Sequence, residues 1–245
     1  MFRVEHMTKS FGGLLAVADV SFELKKGELS SIIGPNGAGK TTLFNLMTGH
    51  IKPDRGQITF EDKDITGLPP YTICRRGIGR SFQRTNIFPR LSAFDNVQVA
   101  LLSWQRKSRN IFIKSENLLR KEADEILDSI GLGDKKDITA GLLAHGDQRR
   151  LEIGITLGTH PRLILLDEPT AGMSPEESNR TVELVHRLVR ERDLTLLFIE
   201  HDMNVVFGIS EKVRVMQMGG IMAEGTPEEI RANDEVQRIY LAEEQ

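Results

Sequence analysis

The stretch Gly34–Thr41, GPNGAGKT, constrains the fold more than any other part of the chain. It matches GxxxxGK[ST], a pattern that carries meaning only where a buried strand runs into a tight turn and the turn opens a helix. Both flanks are present. Leu29 to Ile33 is a short apolar run readable as a buried strand, and Lys40 to Thr48 reads as a helix closed by Gly49. The phosphates of a nucleotide are dense negative charge, so a backbone that holds them must turn several N–H groups into one concavity. Gly34, Gly37 and Gly39 permit that turn, and Pro35, Asn36, Ala38 and Thr42 complete the stretch read as ATP-binding. Lys40 is placed to reach the β and γ phosphates, and the Thr41 hydroxyl to ligate Mg²⁺. The helix N-terminus adds its own attraction for anions.

A second feature agrees with the first. Leu163 to Leu166 is an apolar run ending in Asp167 and Glu168, which puts both carboxylates at the C-terminal edge of a buried parallel strand. Ligand sites of open α/β sheets lie at that edge. Asp167 would hold the Mg²⁺ hydration shell and Glu168 would polarise the water that attacks the γ phosphate. An apolar run ending in two acids is commonly just a strand meeting solvent; behind a complete phosphate loop it reads as part of the site.

The pattern changes character twice along the chain. Residues 1–86 mix short strands, such as Gly56 to Phe60 and Ile78 to Phe82, with turns and one helix. Residues 87–158 read as helical, with Phe94, Val97 and Leu101 at helical spacing, then Leu119, Ala123, Ile126, Leu127 and Ile130. Residues 159–245 return to strands at Leu163 to Leu166 and Leu194 to Ile199. Between them Ser174, Pro175 and Glu177 open a helix with a capping box, and Thr226, Pro227, Glu228 and Glu229 repeat that start signal. The expected fold is one α/β domain over 1–245: a nucleotide-binding core built from 1–86 and 159–245. An α-helical subdomain over 87–158 interrupts it.

Composition narrows the setting. The chain has 245 residues, enough for a core with a subdomain but short for two nucleotide domains. A net charge of -3 and a pI near 6.1 argue against general binding of nucleic acid. Cys74 is the only cysteine, so no disulfide framework or cysteine-rich metal site is available. No signal-peptide stretch stands at the N-terminus, and no apolar run approaches the roughly eighteen residues of a membrane span. A role at a membrane would be played from the cytosolic side.

Three further residues are ambiguous by themselves. Gln83 closes the run Ile78 to Phe82 and is either a solvated polar residue or a contact to Mg²⁺ and the water. His201, in FIEHD, is either structural or a group touching the γ phosphate. Phe11 either stacks on adenine or fills core.

Taken in order, FGG (Phe11 to Gly13), GPNGAGKTT (Gly34 to Thr42), FQR (Phe82 to Arg84), LAHGDQRRLEI (Leu143 to Ile153), LLDEPTAGMSPEE (Leu165 to Glu177) and IEHDM (Ile199 to Met203) resemble the ATP-binding subunits of ABC transporters. The resemblance covers essentially the whole chain, and it implies an α/β P-loop NTPase core of RecA-like type with a mixed sheet, the inserted helical subdomain carrying the signature. LAHGD, AGMSPEE and the ending GTPEEIRANDEVQRIYL look most like the subunits of branched-chain amino-acid importers. It implies that Phe11 stacks on adenine, that Gln83 lies in the loop joining core to helical insertion, and that His201 is the switch histidine. It also implies two ATP molecules between head-to-tail domains, each closed by Leu143, Ala144, His145, Gly146 and Asp147 of the opposite subunit. Gly146 and Asp147 would open a helix whose amides meet the γ phosphate, and a side chain at 146 would face it. The family's usual LSGGQ is altered here, with Ala144 for serine, His145 for glycine and Asp147 for glutamine.

The implied activity is ATP hydrolysis coupled to import, at the cytoplasmic face of the cell membrane. The implied partners are a second ATP-binding subunit, two membrane permease subunits and an external solute-binding protein. Urea, amides or other hydrophobic solutes stay open as cargo. So do a non-transport ATPase of the same fold and a regulatory subunit that binds ATP but scarcely hydrolyses it. The basic stretch Trp104 to Lys121, with Arg106, Lys107, Arg109, Lys114, Arg120 and Lys121, reads either as a solvated face or as a surface near anionic lipid or a permease loop.

Overall fold

A computed structural model describes residues 1–81, 87–104 and 114–241, with the backbone alone at 114–118 and 239–241. Gln83, with Phe82 and Arg84, lies outside the described residues, as do Arg106, Lys107 and Arg109.

The centre is a six-stranded mixed sheet. Strands β3 (Leu29–Ile33), β6 (Ile78–Arg80), β7 (Leu163–Asp167), β8 (Thr195–Ile199), β9 (Lys212–Gln217) and β10 (Gly220–Gly225) lie in the order β10-β9-β3-β8-β7-β6, all parallel except β10, which runs antiparallel to β9. Both faces of this sheet are covered, which is why β3, β7 and β8 read as unbroken apolar runs. Side chains alternate across a strand, so each run divides between two cores. Leu29 and Ile33, Ile164 and Leu166, and Leu196 and Phe198 join one; Ile32, Leu163 and Leu165, and Leu197 and Ile199 join the other.

The second core is closed by α1 (Lys40–Met47), with Leu43 and Phe44 buried, and by an antiparallel sheet in the order β2-β1-β4-β5. Its strands are β1 (Phe2–Phe11), β2 (Leu14–Leu24), β4 (Arg55–Phe60) and β5 (Lys63–Asp64). The Phe2 ring sits 6.5 Å from Phe22 and 6.3 Å from Phe60, an aromatic seam across three strands.

The first core is helical. It takes Val97 and Leu101 from α3 (Ala93–Trp104), Leu119, Ala123 and Leu127 from α4 (Lys114–Ser129), and Leu151 and Leu157 from α5 (His145–Leu157). Leu184 and Leu188 of α6 (Pro175–Glu191) and Val205 and Val206 of α7 (Met203–Ile209) complete it. Val97, Leu101, Leu119, Ala123 and Leu127 are among the positions whose helical spacing the sequence displays.

The start signals act as their chemistry requires. At α6, Glu177 N donates to Ser174 Oγ at 3.3 Å while Ser174 N donates to Glu177 Oε2 at 3.0 Å. At α8 (Pro227–Arg231), Thr226 and Glu229 make the same exchange, and α9 (Asp234–Leu241) follows.

Residues 1–86 contain the expected short strands but depart from expectation in two respects: β1 and β2 run for 10 and 11 residues, and α2 (Pro70–Arg75) is a second helix. The pairing of β1 with β2 shifts register between Val4 and Met7, where His6 takes φ 51°, and Asp19 opposite takes φ 53°. Each slip resets the alternation by which a long strand is recognised. Helix α2 is too short to show a helical period. The run from Ile78 ends as a strand at Arg80, though Ser81 N still donates to Leu165 O at 3.0 Å.

Candidate functional site

Three parallel strands deliver the site at their C-terminal edge: β3 leads into the 34–39 loop, β7 into Glu168 and β8 into Glu200 and His201. The loop lies close against neighbouring backbone. A Cβ at Gly34 would stand 2.1 Å from Met216 O, and one at Gly39, where φ is 100°, 2.2 Å from Ala16 O. Ala38 O accepts from Gly219 N at 3.0 Å and Gly219 O from Ala18 N at 2.9 Å, so the β9–β10 turn pins the loop to β2. Lys40, buried at the start of α1, donates from Nζ to Gly34 O at 2.5 Å and Pro35 O at 2.9 Å.

The loop forms the floor of a cleft of about 570 Å³, a size that suits a nucleotide. Asn36, Gly37, Lys40, Thr41 and Thr42 line one part of it, and Glu168 and His201 reach the same space. At the other end stands an apolar wall. Phe11, which the sequence left between core and base stacking, is 46% exposed and faces this cleft at the end of β1. Leu14, Leu15 and Met218 line the cleft beside it, all exposed. Sequence reasoning missed these three. For Leu14 and Leu15 the available signal was their place directly after the Gly12–Gly13 turn, where a hairpin tip is ordinarily polar; Met218, in the distant β9–β10 turn, carried none.

The acidic pair separates into two environments. Asp167 is 1% exposed and its Oδ2 accepts from Arg80 Nη2 at 3.1 Å. Burial pushes its carboxyl above the usual range, with the Arg80 guanidinium pulling the other way. Arg80 also donates to Asn45 Oδ1 at 2.7 Å and Thr48 Oγ1 at 2.9 Å, tying β6 to α1 beneath the loop. Glu168 turns outward. Its φ of 51° is uncommon for a residue with a side chain, and its N–H donates to Ile199 O at 2.9 Å. The Glu168 Oε1 lies 3.0 Å from His201 Nε2, which donates because a carboxylate only accepts. Neither Arg80 nor Glu200 was singled out from sequence; both act on residues distant in the chain.

The residues that would serve a magnesium ion are the Thr41 hydroxyl, in the cleft, and Asp167 behind it. Among the described residues no cluster of three or more His, Cys, Asp or Glu could cage a metal. One hydroxyl and one carboxylate fit an ion that keeps waters and takes its remaining ligands from phosphate.

The 143–147 segment stands at the N-terminus of α5, with Ala144 as its cap residue. Ala144 and His145 are exposed, whereas Leu143, Gly146 and Asp147 are buried within their own chain. A side chain at Gly146 would not project into open space: its Cβ would meet Glu177 Oε1 at 3.2 Å. Asp147 pairs with Lys135 Nζ at 2.6 Å and with Arg150. Burial opposes its ionisation, but Lys135 and Arg150 together hold the carboxyl below its ordinary value.

Of the basic stretch, Arg120 stacks over the Phe94 ring at 5.6 Å and Lys121 pairs with Glu125 at 3.5 Å. Both are exposed on the helix surface.

A family model described as ABC transporter matches residues 17–171. The chain belongs to the ABC transporter family. A second model, described as branched-chain amino acid ATP-binding cassette transporter, matches residues 221–241. The high-affinity branched-chain amino acid transport ATP-binding protein LivG of Salmonella typhimurium is 42% identical over 99% of this chain and 98% of its own. Among solved structures, the ADP conformation of an ATP-binding cassette of an ABC transporter is similar with a TM-score of 0.87 and 32% identity, covering 98% of both chains. A dimeric cassette in a post-hydrolysis state bound to ADP and Pi gives a TM-score of 0.79 at 28% identity, covering 93% of this chain and 99% of that one. The chain is an ABC-type ATPase whose fold is that of the ATP-binding cassette. Among the described residues no helix is long and apolar enough to cross a membrane.

Proposed function

We propose that this ATPase drives import of branched-chain, hydrophobic amino acids, working as one of a head-to-tail pair of ATP-binding subunits. The observation that carries the mechanism is the meeting of the 34–42 loop, Glu168 and His201 in one cleft. Lys40 and the loop amides neutralise the β and γ phosphates, and the adenine lies between Phe11 and the wall of Leu14, Leu15 and Met218. Mg²⁺, held through Thr41, Gln83 and the hydration shell of Asp167, would supply charge neutralisation at the β and γ oxygens. Glu168 accepts a proton from the attacking water, which forms a bond to the γ phosphorus as the bond to the ADP oxygen breaks. His201, 3.0 Å from Glu168, orients that carboxylate.

Ala144 and His145 are exposed at the α5 N-terminus and take no part in lining the chain's own cleft, as expected of groups that close the partner's site. The LivG likeness and the match at 221–241 support the amino-acid cargo. Two permease subunits and an external solute-binding protein complete the proposed transporter, with this chain peripheral on the cytoplasmic face of the membrane.

The test is uptake of labelled leucine by cells carrying the native protein or Glu168→Gln at equal expression, with unlabelled valine and isoleucine as competitors. The substitution keeps shape and removes the acceptor, so uptake should be lost in the mutant and competed in the native strain. Equal uptake by both strains would reject the role of Glu168; native uptake without competition would reject the cargo.

A further inference from the structure

Glu200 is the residue at the site whose chemistry the hydrolysis scheme leaves unused. It follows β8 directly, is 4% exposed, and sits between the two segments that carry the reacting side chains. Its Oε1 accepts from Thr170 N at 2.8 Å and from Thr170 Oγ1 at 2.6 Å, while its Oε2 accepts from His201 N at 3.1 Å. Among the described residues it has no ion-pair partner. A buried carboxylate satisfied by neutral donors alone is an expensive choice for packing, since an apolar residue of similar volume would avoid the desolvation. Its use is in what the three donors belong to. Thr170 lies two residues beyond Glu168, on the loop that leaves β7, and His201 is the residue paired with Glu168. Glu168 holds a left-handed backbone at φ 51°, a conformation that persists only when its surroundings enforce it. One enforcing bond is Glu168 N to Ile199 O at 2.9 Å, and the Glu200 carboxylate provides the others.

We propose that Glu200 is a positioning residue for hydrolysis: its carboxylate fastens the Thr170 loop to the His201 backbone and so sets Glu168 against His201. The proposal rests on the reading of Glu168 and His201 given above. Glutamate is required by the donor pattern. A glutamine could still accept from Thr170 through its oxygen, but its amide would then present N–H to His201 N–H, donor against donor. Glu200→Gln therefore releases the His201 side of the clamp and leaves the Thr170 side. Thr170→Val is its complement, deleting the hydroxyl bond while keeping shape and the backbone bond.

Steady-state hydrolysis by the full chain in its ATP-driven assembly, with ATP varied, measures both variants beside native protein and Glu168→Gln. Melting temperature and the imidazole NMR resonances of His201 are recorded on the same samples. The expected result is kcat lower by roughly tenfold or more in Glu200→Gln, with KM within about twofold. The His201 resonances should be displaced or broadened, and Thr170→Val should show a smaller loss of kcat in the same sense. A kcat for Glu200→Gln within twofold of native would overturn the proposal. So would parallel losses of kcat, ATP affinity and melting temperature with His201 resonances unmoved, because that is what a purely structural carboxylate gives. Native-rate hydrolysis by Glu168→Gln would instead reject the underlying site reading, so the two failures are told apart.

Discussion

Asp147 lets a departure from the family's signature be tested as physics. The carboxylate, 8% exposed, lies between Lys135, 38% exposed, and Arg150, 28% exposed. It also occupies the first turn of α5, where a negative charge is favoured by about 0.3–1 kcal/mol. Asp147→Asn removes the charge with little change of shape. Both cations remain partly in water, so each lost pair counts for about 0.5–1 kcal/mol rather than the larger cost of stranding a buried charge. With the helix contribution the loss is about 1–3 kcal/mol. For a chain of this length each kcal/mol moves the melting temperature by roughly 2–4 °C, so a drop of about 2–12 °C is expected at pH 7.

The pH dependence adds a second check. The folded carboxyl titrates below its ordinary value, so the network stabilises fully above the unfolded value, near about 3.9, and is lost as pH falls through the lower folded one. Thermal melts followed by circular dichroism from pH 7 downward should show native and Asp147→Asn curves separated at neutral pH and converging below about pH 4. ATP binding by the isolated chain should be unchanged, because the carboxylate is turned into its own subunit. Equal melting temperatures at pH 7, with hydrolysis by the assembled pair nonetheless lost, would refute this account and place the side chain at the partner's phosphate.

Other consequences follow from the same geometry. Phe11→Ala should raise the dissociation constant for ATP roughly tenfold, as loss of one base-stacking ring does; a fluorescent-nucleotide titration showing no change would move the base off the Phe11 wall. Gly39→Ala must push the loop away from Ala16 O, 2.2 Å from the new Cβ, at a φ of 100°, so nucleotide affinity should fall more than tenfold with a loss of about 1–3 kcal/mol in stability. Retention of native affinity by that variant would show that the loop tolerates the shift. Arg80→Met leaves Asp167 buried beside no guanidinium and should cost about 3–5 kcal/mol, read as urea midpoints; a loss under about 1 kcal/mol would mean the carboxyl simply takes up a proton.

What the sequence displays and what it conceals divide along a physical line. Strand β3 was legible to the residue, and α6 and α8 announced their starts through Ser174–Glu177 and Thr226–Glu229, because local period and turn chemistry decide those features. The long strands β1 and β2 were not, since the irregular pairings near His6 and Asp19 break the alternation that would reveal them. At the site, the phosphate loop, Glu168 and His201 were named from their motifs. Arg80, Glu200 and Met218 were not, because their partners are brought close only by the strand order β10-β9-β3-β8-β7-β6.

That strand order also explains why the signature segment divides as it does. Helix α5 must bury Leu151, Ile153 and Leu157 in the same core that receives Ile164 and Leu166 from β7, and this fixes its N-terminus beside the start of α6. There a Cβ at Gly146 would press on Glu177 Oε1 at 3.2 Å and one at Gly172 would touch the His145 ring at 3.5 Å, so a side chain at 146 meets its own chain before any phosphate is considered. Leu143 and Asp147 are likewise occupied at home. What is left for a second subunit is the exposed pair Ala144 and His145 together with the helix N-terminus itself. Recognition of a partner's γ phosphate through backbone amides does not depend on the serine hydroxyl and glutamine amide this chain lacks, so a signature altered at three positions remains compatible with turnover.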